Sequence, residues 1–356
     1  MKDMQVKSLL RELISREDET SFSGWLLEQV KKSQKFDYVK KVKDSRGGLV
    51  IEAIKGEPQL IFLCHMDTVK ASVGQKRGVH GDRYYGLGAK DMKGGIVSVL
   101  KAVLLASEMR NMGLIFYNGE ESDRSGMKLL LEKFKYFPKL IVCPESRFVI
   151  GSGCKGLMVV SVEVRGIAAH TARPQQGLNS VEGAWELVEY IRSKCKLFKS
   201  KMLGHTLITP LFIISWPEFN LSGIVPDKCN MNLELRINSS RLTGDMVLSW
   251  VKEFCKLSGF KVEVKLIEEY PVTLIPKKDL LPLTEAINVA GEDVRWADVS
   301  LSGFNDGFLL FHKYQIPVVN FGPYGEGNHT ANEWVSIRSV EKTAKVYSYL
   351  MQIMGK

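Results

Sequence analysis

A chain of 356 residues suits two domains better than one, and 45% hydrophobic with 25% charged side chains is ordinary globular composition with enough apolar material for a core. The net charge of +9 raises the question of nucleic acid. Its lysines are scattered, as in "KKSQKFDYVKKVK" and "RSKCKLFKSK", with no aromatics at a spacing that reads bases and no nucleic-acid-binding motif.

No run of about 18 apolar residues is present to span a membrane. Neither nucleic acid nor membrane is therefore an expected partner, although a basic field would attract anionic substrates or an acidic partner protein. The amino end, "MKDMQVKSLLRELISRE", has helical apolar spacing but is charged from its second residue and lacks a signal-peptide core, which points to the cytoplasm. Six dispersed cysteines without a CxxC pair read as reduced thiols in that compartment.

Strand-like runs "LVIEAI", "QLIFLC", "GLIFYN" and "LIVCPE" follow, with the helix pattern "GGIVSVLKAVLLASEM" between the second and third. This alternation predicts an α/β domain with a mostly parallel sheet and helices on its faces. From Gly156 the pattern becomes strand-rich: "LMVVSVEVRG", helical "NSVEGAWELVEYIRSK", "PLFIISW", "KCNMNLELRI", helical "TGDMVLSWVKEFCKLSG" and "KVEVKLIEEY". From Pro271 helix and strand alternate again, ending in the helix "SVEKTAKVYSYLMQIM". The expected organisation is a catalytic domain over 1–155 and 271–356, interrupted by an inserted α+β domain over 156–270.

Polar clusters sit at strand ends and helix starts of the first domain. "QLIFLCHMDTVK" ends in His65 and Asp67, which alternation directs to one face. Asp91 in "YGLGAKDMKGG" precedes a Gly94–Gly95 pair that opens a helix, Glu120 and Glu121 follow the strand "LIFYN", Glu145 ends "IVCPES", and His329 lies in "GPYGEGNHTANEW". Paired glutamates are usually surface charge, and a lone histidine is usually a loop residue. Together, at the ends where open α/β sheets bind ligands, they supply two imidazoles and several carboxylates. That set suits Zn2+, with Mn2+ or Co2+ as substitutes, and two ions about 3.5–4 Å apart need a bridging carboxylate. Adjacent Glu120 and Glu121 cannot both face one ion from a regular strand, so one would bind metal and the other act as base. Asp67 is expected to orient His65.

"HMDTV", "GAKDMKGG", "NGEES", "PES" and "NHTANEW", in this order, resemble the motifs of the dinuclear-zinc amidohydrolases. That family includes acetylornithine deacetylase, succinyl-diaminopimelate desuccinylase, aminoacylase and glutamate carboxypeptidase. The resemblance spans nearly the whole chain. It implies two Zn2+ per subunit, with Asp91 bridging, His65 and Glu145 completing one site, Glu121 and His329 the other, and Glu120 as general base. It also implies that the inserted domain is a lid that dimerises. There "VEVRGIAAHTARPQQGLNS" matches the motif whose histidine, His170, reaches the partner subunit's active site, and "VPDKCNMNLELRI" the segment whose arginine, Arg236, holds the substrate carboxylate.

Three departures bear on the substrate. Lys70 stands where a proline is common, Gly223–Ile224 where an asparagine is common, and "GFNDG" replaces "GTSDG", bringing Phe304 beside the expected cleft. The expected activity is hydrolysis of an amide in a small N-acyl amino acid with a free carboxylate, as in amino-acid biosynthesis. The alternatives are a metallo-carboxypeptidase or dipeptidase acting on short peptides, or release of lysine or ornithine from an acidic carrier protein.

Overall fold

The computed structural model describes residues 5–106, 108–216 and 223–356, which divide into two compact units. The first comprises residues 1–152, 275–297 and 305–356. Its centre is a six-stranded sheet in the order Tyr38–Lys43, Leu49–Lys55, Met112–Tyr117, Leu60–His65, Leu140–Cys143, Val318–Asn320. The last four strands are parallel, and Leu49–Lys55 runs antiparallel to both of its neighbours.

Every residue of Leu60–His65, Met112–Tyr117 and Leu140–Cys143 is buried, as uninterrupted apolar runs require of strands covered on both faces. Alternation divides them between two layers. Leu60, Phe62, Cys64, Leu114, Phe116 and Val142 join one core with helices Val6–Ile14, Gly94–Leu105, Leu281–Val289 and Ile337–Met354. Ile61, Leu63, Ile115 and Ile141 are buried on the other face, with helices Ser125–Lys133 and Phe308–Tyr314 packed on strands of the sheet. The expected amino-terminal helix is Val6–Ile14; residues 1–4 of that stretch lie outside the described residues. The basic "YVKKVK" is itself the edge strand Tyr38–Lys43, and lysines on an exposed edge discourage pairing with other chains.

The second unit holds residues 153–274 and 298–304. Its antiparallel sheet has the order Leu207–Trp216, Lys228–Ile237, Gly156–Arg165, Lys261–Tyr270. Lys228–Ile237 alternates strictly between partly exposed and buried residues, the signature of a sheet covered on one face. Met158, Val160, Val162, Met231, Leu233 and Leu235 make that buried face against helices Ser180–Cys195 and Gly244–Ser258. The unit's limits fall a few residues outside the expected 156–270 because Thr273–Leu274 pairs with Gly153–Cys154, tying the entering and leaving chain together. Residues 298–304 group with this unit, and Phe304 stacks on Tyr270 with ring centroids 4.9 Å apart. All six cysteines are free. No helix among the described residues is long and apolar enough to cross a membrane.

Candidate metal centre

The parallel strands Leu60–His65, Met112–Tyr117 and Leu140–Cys143 end on the same edge of the first unit's sheet, where His65 pairs with Tyr117. Just past those ends come Asp67, Glu120, Glu121 and Glu145. Gly119 (φ +82°) turns the chain after the strand in a conformation that side chains resist. The turn is then held by Asp67, whose carboxylate accepts the N–H of Glu120 at 3.2 Å and of Glu121 at 2.9 Å. Asp91 arrives from the opposite direction, just before helix Gly94–Leu105. A Cβ at Gly95 would collide with the carbonyl of Pro144, so only glycine lets this helix start lie against the strand end that carries Glu145.

Three overlapping triads result: His65, Asp91 and Glu145; His65, Glu120 and Glu121; Asp91, Glu121 and His329. Within each, the potential ligand atoms lie within 4.8 Å of one another. Asp91 faces both ways. Its Oδ1 is 3.2 Å from His65 Nε2 and its Oδ2 is 3.7 Å from His329 Nε2, while Glu121 Oε1 is 3.0 Å from the same His329 nitrogen. His65 is buried, the four carboxylates are partly buried, and His329 is exposed on a loop where it adopts φ +63°. Asp67 meets His65 Nδ1 chiefly through its backbone oxygen at 3.0 Å, with its carboxylate at 3.7 Å. Its side chain thus serves the Glu120–Glu121 turn more directly than the imidazole.

So many carboxylates in a partly buried space cannot all ionise unaided. Burial, reinforced by Glu145, Asp306 and Glu121, pushes the Glu120 carboxyl up to about 9 despite the opposing charge of His65. Burial and Asp91 push Glu145 up to about 7, and burial also raises Glu121. Burial is the largest influence on Asp91 and opposes its ionisation, but the hydrogen bond to His65 and the charges of His65, Lys90 and His329 together outweigh it and hold Asp91 below the usual carboxylate range. A divalent cation would supply the missing positive charge and let the group ionise together. Two imidazoles among carboxylates, with one carboxylate facing both ways, form a donor set that fits zinc.

His170 and Arg236 belong to the second unit. His170 is exposed on the two-residue strand Ala169–His170, where its Nδ1 accepts the N–H of Ala172 at 3.0 Å. Arg236 is partly exposed on Lys228–Ile237, with Nε donating to Glu234 at 2.7 Å.

Sequence reasoning missed four residues that touch the centre or stand beside it. Asn305 donates to Glu145, and Asn328 Nδ2 donates to Asp91 Oδ2 at 3.3 Å. Asp306 pairs with Arg124 at 2.8 Å, and burial pushes its carboxyl up to about 6 despite that partner. Glu333 accepts three backbone N–H groups around Asp91. The only signal was proximity in "GFNDG" and "NHTANEW", which does not tell which polar residue turns inward.

The family model "Peptidase family M20/M25/M40" matches residues 61–353. Among curated proteins, the chain is 26% identical over 226 residues to an acetylornithine deacetylase of Buchnera aphidicola (58% of this chain, 55% of that one). It is 26% identical over 285 residues to a probable succinyl-diaminopimelate desuccinylase of Staphylococcus epidermidis (74% and 66%), so the chain spans between about half and two thirds of these two relatives. A succinyl-diaminopimelate desuccinylase of Wolbachia pipientis is matched more fully, at 26% identity over 330 residues (85% and 81%). Among solved structures, a tripeptidase from Staphylococcus aureus has TM-score 0.78 at 19% identity, covering 99% of each chain. A family M20 metallo-carboxypeptidase from Sulfolobus solfataricus has TM-score 0.73 at 16% identity, again covering 99% of each. At those identities the structures speak to the fold alone. By the family match over residues 61–353, this chain is a member of peptidase family M20/M25/M40.

Proposed function

We propose that this chain is a two-metal amidohydrolase that cleaves the amide of a small N-acyl amino acid bearing a free carboxylate. The observation that carries the reading is Asp91, with one oxygen toward His65 and the other toward His329, inside overlapping triads that share it. His65, Asp91 and Glu145 would hold one Zn2+, and Asp91, Glu121 and His329 the second, with Co2+ or Mn2+ as substitutes. When bound, such a pair polarises a carbonyl and lowers the pKa of attacking water toward ~7.

The chain's own residues handle the protons. Glu120 takes one from the attacking water as oxygen bonds to the carbonyl carbon, then delivers it to the nitrogen as the C–N bond breaks. Glu120 also lies within ligand reach of His65, and its assignment as base rather than ligand rests on the family motif. Asp67 keeps Glu120 and Glu121 in their turn. His170 of the partner subunit stabilises the oxyanion, and Arg236 pairs with the substrate carboxylate.

The exposed apolar edge strand Leu207–Trp216, with Leu207, Leu211, Phe212, Ile213 and Ile214 all accessible, supports a homodimer through the second unit. Six free thiols fit a reducing, cytoplasmic setting.

Deacylation is preferred over peptidase activity because the relatives matched by sequence are named as a deacetylase and desuccinylases. The +9 charge keeps an acidic carrier protein as a second substrate reading. Reconstitution with zinc or cobalt, followed by a panel of N-acetyl and N-succinyl amino acids and dipeptides, tests the proposal. Turnover of the acyl amino acids above the dipeptides is expected. Preference for dipeptides would select the peptidase alternative, and no turnover of any amide would overturn the reading.

A further inference from the structure

The chain between Gly86 and helix Gly94–Leu105 is irregular, with Asp91 at φ −122°, ψ 93° and Met92 at φ −126°, ψ 31°. Irregular backbone leaves N–H groups in need of acceptors. Ala89 and Lys93 find the carbonyls of Gly86 and Gly88. The N–H groups of Gly88, Lys90 and Asp91 are instead taken by one side chain, Glu333. Its Oε2 accepts from Gly88 at 2.8 Å, and its Oε1 from Lys90 at 2.9 Å and Asp91 at 3.0 Å. The residue is 1% exposed, and its backbone carbonyl accepts the N–H of Gly86 at 3.1 Å. Four hydrogen bonds therefore join this residue to a segment 242 positions away from it at Asp91. Glu333 also stands four residues after His329 on the same loop, and its N–H donates to Thr330 at 3.3 Å.

We infer that Glu333 is a positioning residue: it fixes the backbone of Asp91 against the loop of His329, so that Asp91 can serve two metal ions at once. The inference rests on the two-metal reading above. A carboxylate shared by two ions tolerates little displacement, because moving toward one lengthens its contact with the other. Here the irregular backbone of Asp91 is tied to the loop of His329 through a single buried side chain. Glutamate is the suitable residue type, since its two oxygens accept all three N–H groups and a charged acceptor strengthens each bond. Glutamine would turn an NH2 group toward N–H donors and lose at least one bond.

The test is metal affinity, measured by chelator competition with Zn2+ and by the d–d absorption of bound Co2+. In folded Glu333→Gln, affinity should weaken about 10–100-fold, the usual effect of removing a group that orients a metal ligand. The cobalt spectrum should change with it. Glu333→Asp, which keeps the charge, should recover part of the loss. A merely structural role would lower the melting temperature of the metal-free variant while leaving affinity and spectrum as in the unaltered chain. Affinity of folded Glu333→Gln within about threefold of that chain overturns the inference and leaves the two-metal reading standing. Failure of the unaltered chain to bind either metal overturns both. Should Glu333→Gln not fold, amide exchange in the unaltered protein decides: exchange at Gly88, Lys90 and Asp91 that slows on addition of Zn2+ supports the clamp, and exchange that Zn2+ leaves unchanged overturns it.

Discussion

The largest sheets of the two units present their polar groups in different ways. In the first unit the strands Leu60–His65, Met112–Tyr117 and Leu140–Cys143 are buried along their whole length, so their side chains are consumed by packing and the candidate metal ligands gather past the strand ends. There the groups are tightly held: Asp67 spans two amide groups, Glu333 three, and Asn305 contacts Glu145. In the second unit one sheet face is open, and Arg236 stands partly exposed on an interior strand, donating to Glu234, while His170 is exposed. Under the proposed function, the contrast separates groups preorganised for reaction from groups assigned to recognition.

The largest test of the preorganised region is Glu120→Gln, which should retain both metals while kcat falls about 10²–10⁴-fold, the usual share of a general acid–base group. Loss of one metal equivalent alongside the kinetics would instead make Glu120 a ligand. On the recognition side, Arg236→Ala should raise KM about 10–100-fold for substrates with a free carboxylate, because a charged hydrogen-bonded contact is removed. The carboxamide analogue should respond little. Equal damage with both analogues would move Arg236 from recognition to structure.

Mixing tests whether the second unit serves a neighbouring subunit. Glu120→Ala and His170→Ala, each nearly inactive, should regain roughly a quarter of the unaltered activity when refolded together. Half the dimers are then mixed, and one site in each mixed dimer is intact. No recovery, with mixed dimers verified by mass, would mean that His170 acts within its own chain or not at all.

The smallest effect expected is on stability. Glu145 has a metal-free folded pKa of about 7 against an ordinary value of 4.5, so between those values the folded chain holds a proton that the unfolded chain has released. Stability of the metal-free protein should therefore decline as pH rises from about 4.5 to 7, by of order 2 kcal/mol or roughly 4–8 °C in Tm. Added Zn2+ should cancel the decline and raise Tm more at pH 7.5 than at pH 5. A metal-free Tm that is flat or rising across that range would mean the carboxylates are less crowded than the geometry requires.

Much of the molecule is legible in its sequence. Uninterrupted apolar runs marked the central strands, strict alternation marked Lys228–Ile237, and both follow from how many faces of a strand are covered. The strand Tyr38–Lys43 shows in the sequence only as a basic stretch, because lysines on a sheet edge carry no period that distinguishes them from a solvated loop. At the centre, His65, Asp91, Glu120, Glu121, Glu145 and His329 were each visible as metal-favouring residue types at strand or helix ends.

The sequence by itself determined the residue types, the strand and helix periods and the order of the motifs, since these depend on local covalent spacing and on which side chains avoid water. Only the tertiary structure decided that Asp91 faces His65 and His329 together, that Asp67 braces the Glu120–Glu121 turn, and that Glu333 and Asn305 point inward. Those outcomes depend on side-chain contacts between residues up to 245 apart, where irregular backbone must find acceptors wherever folding brings one within reach.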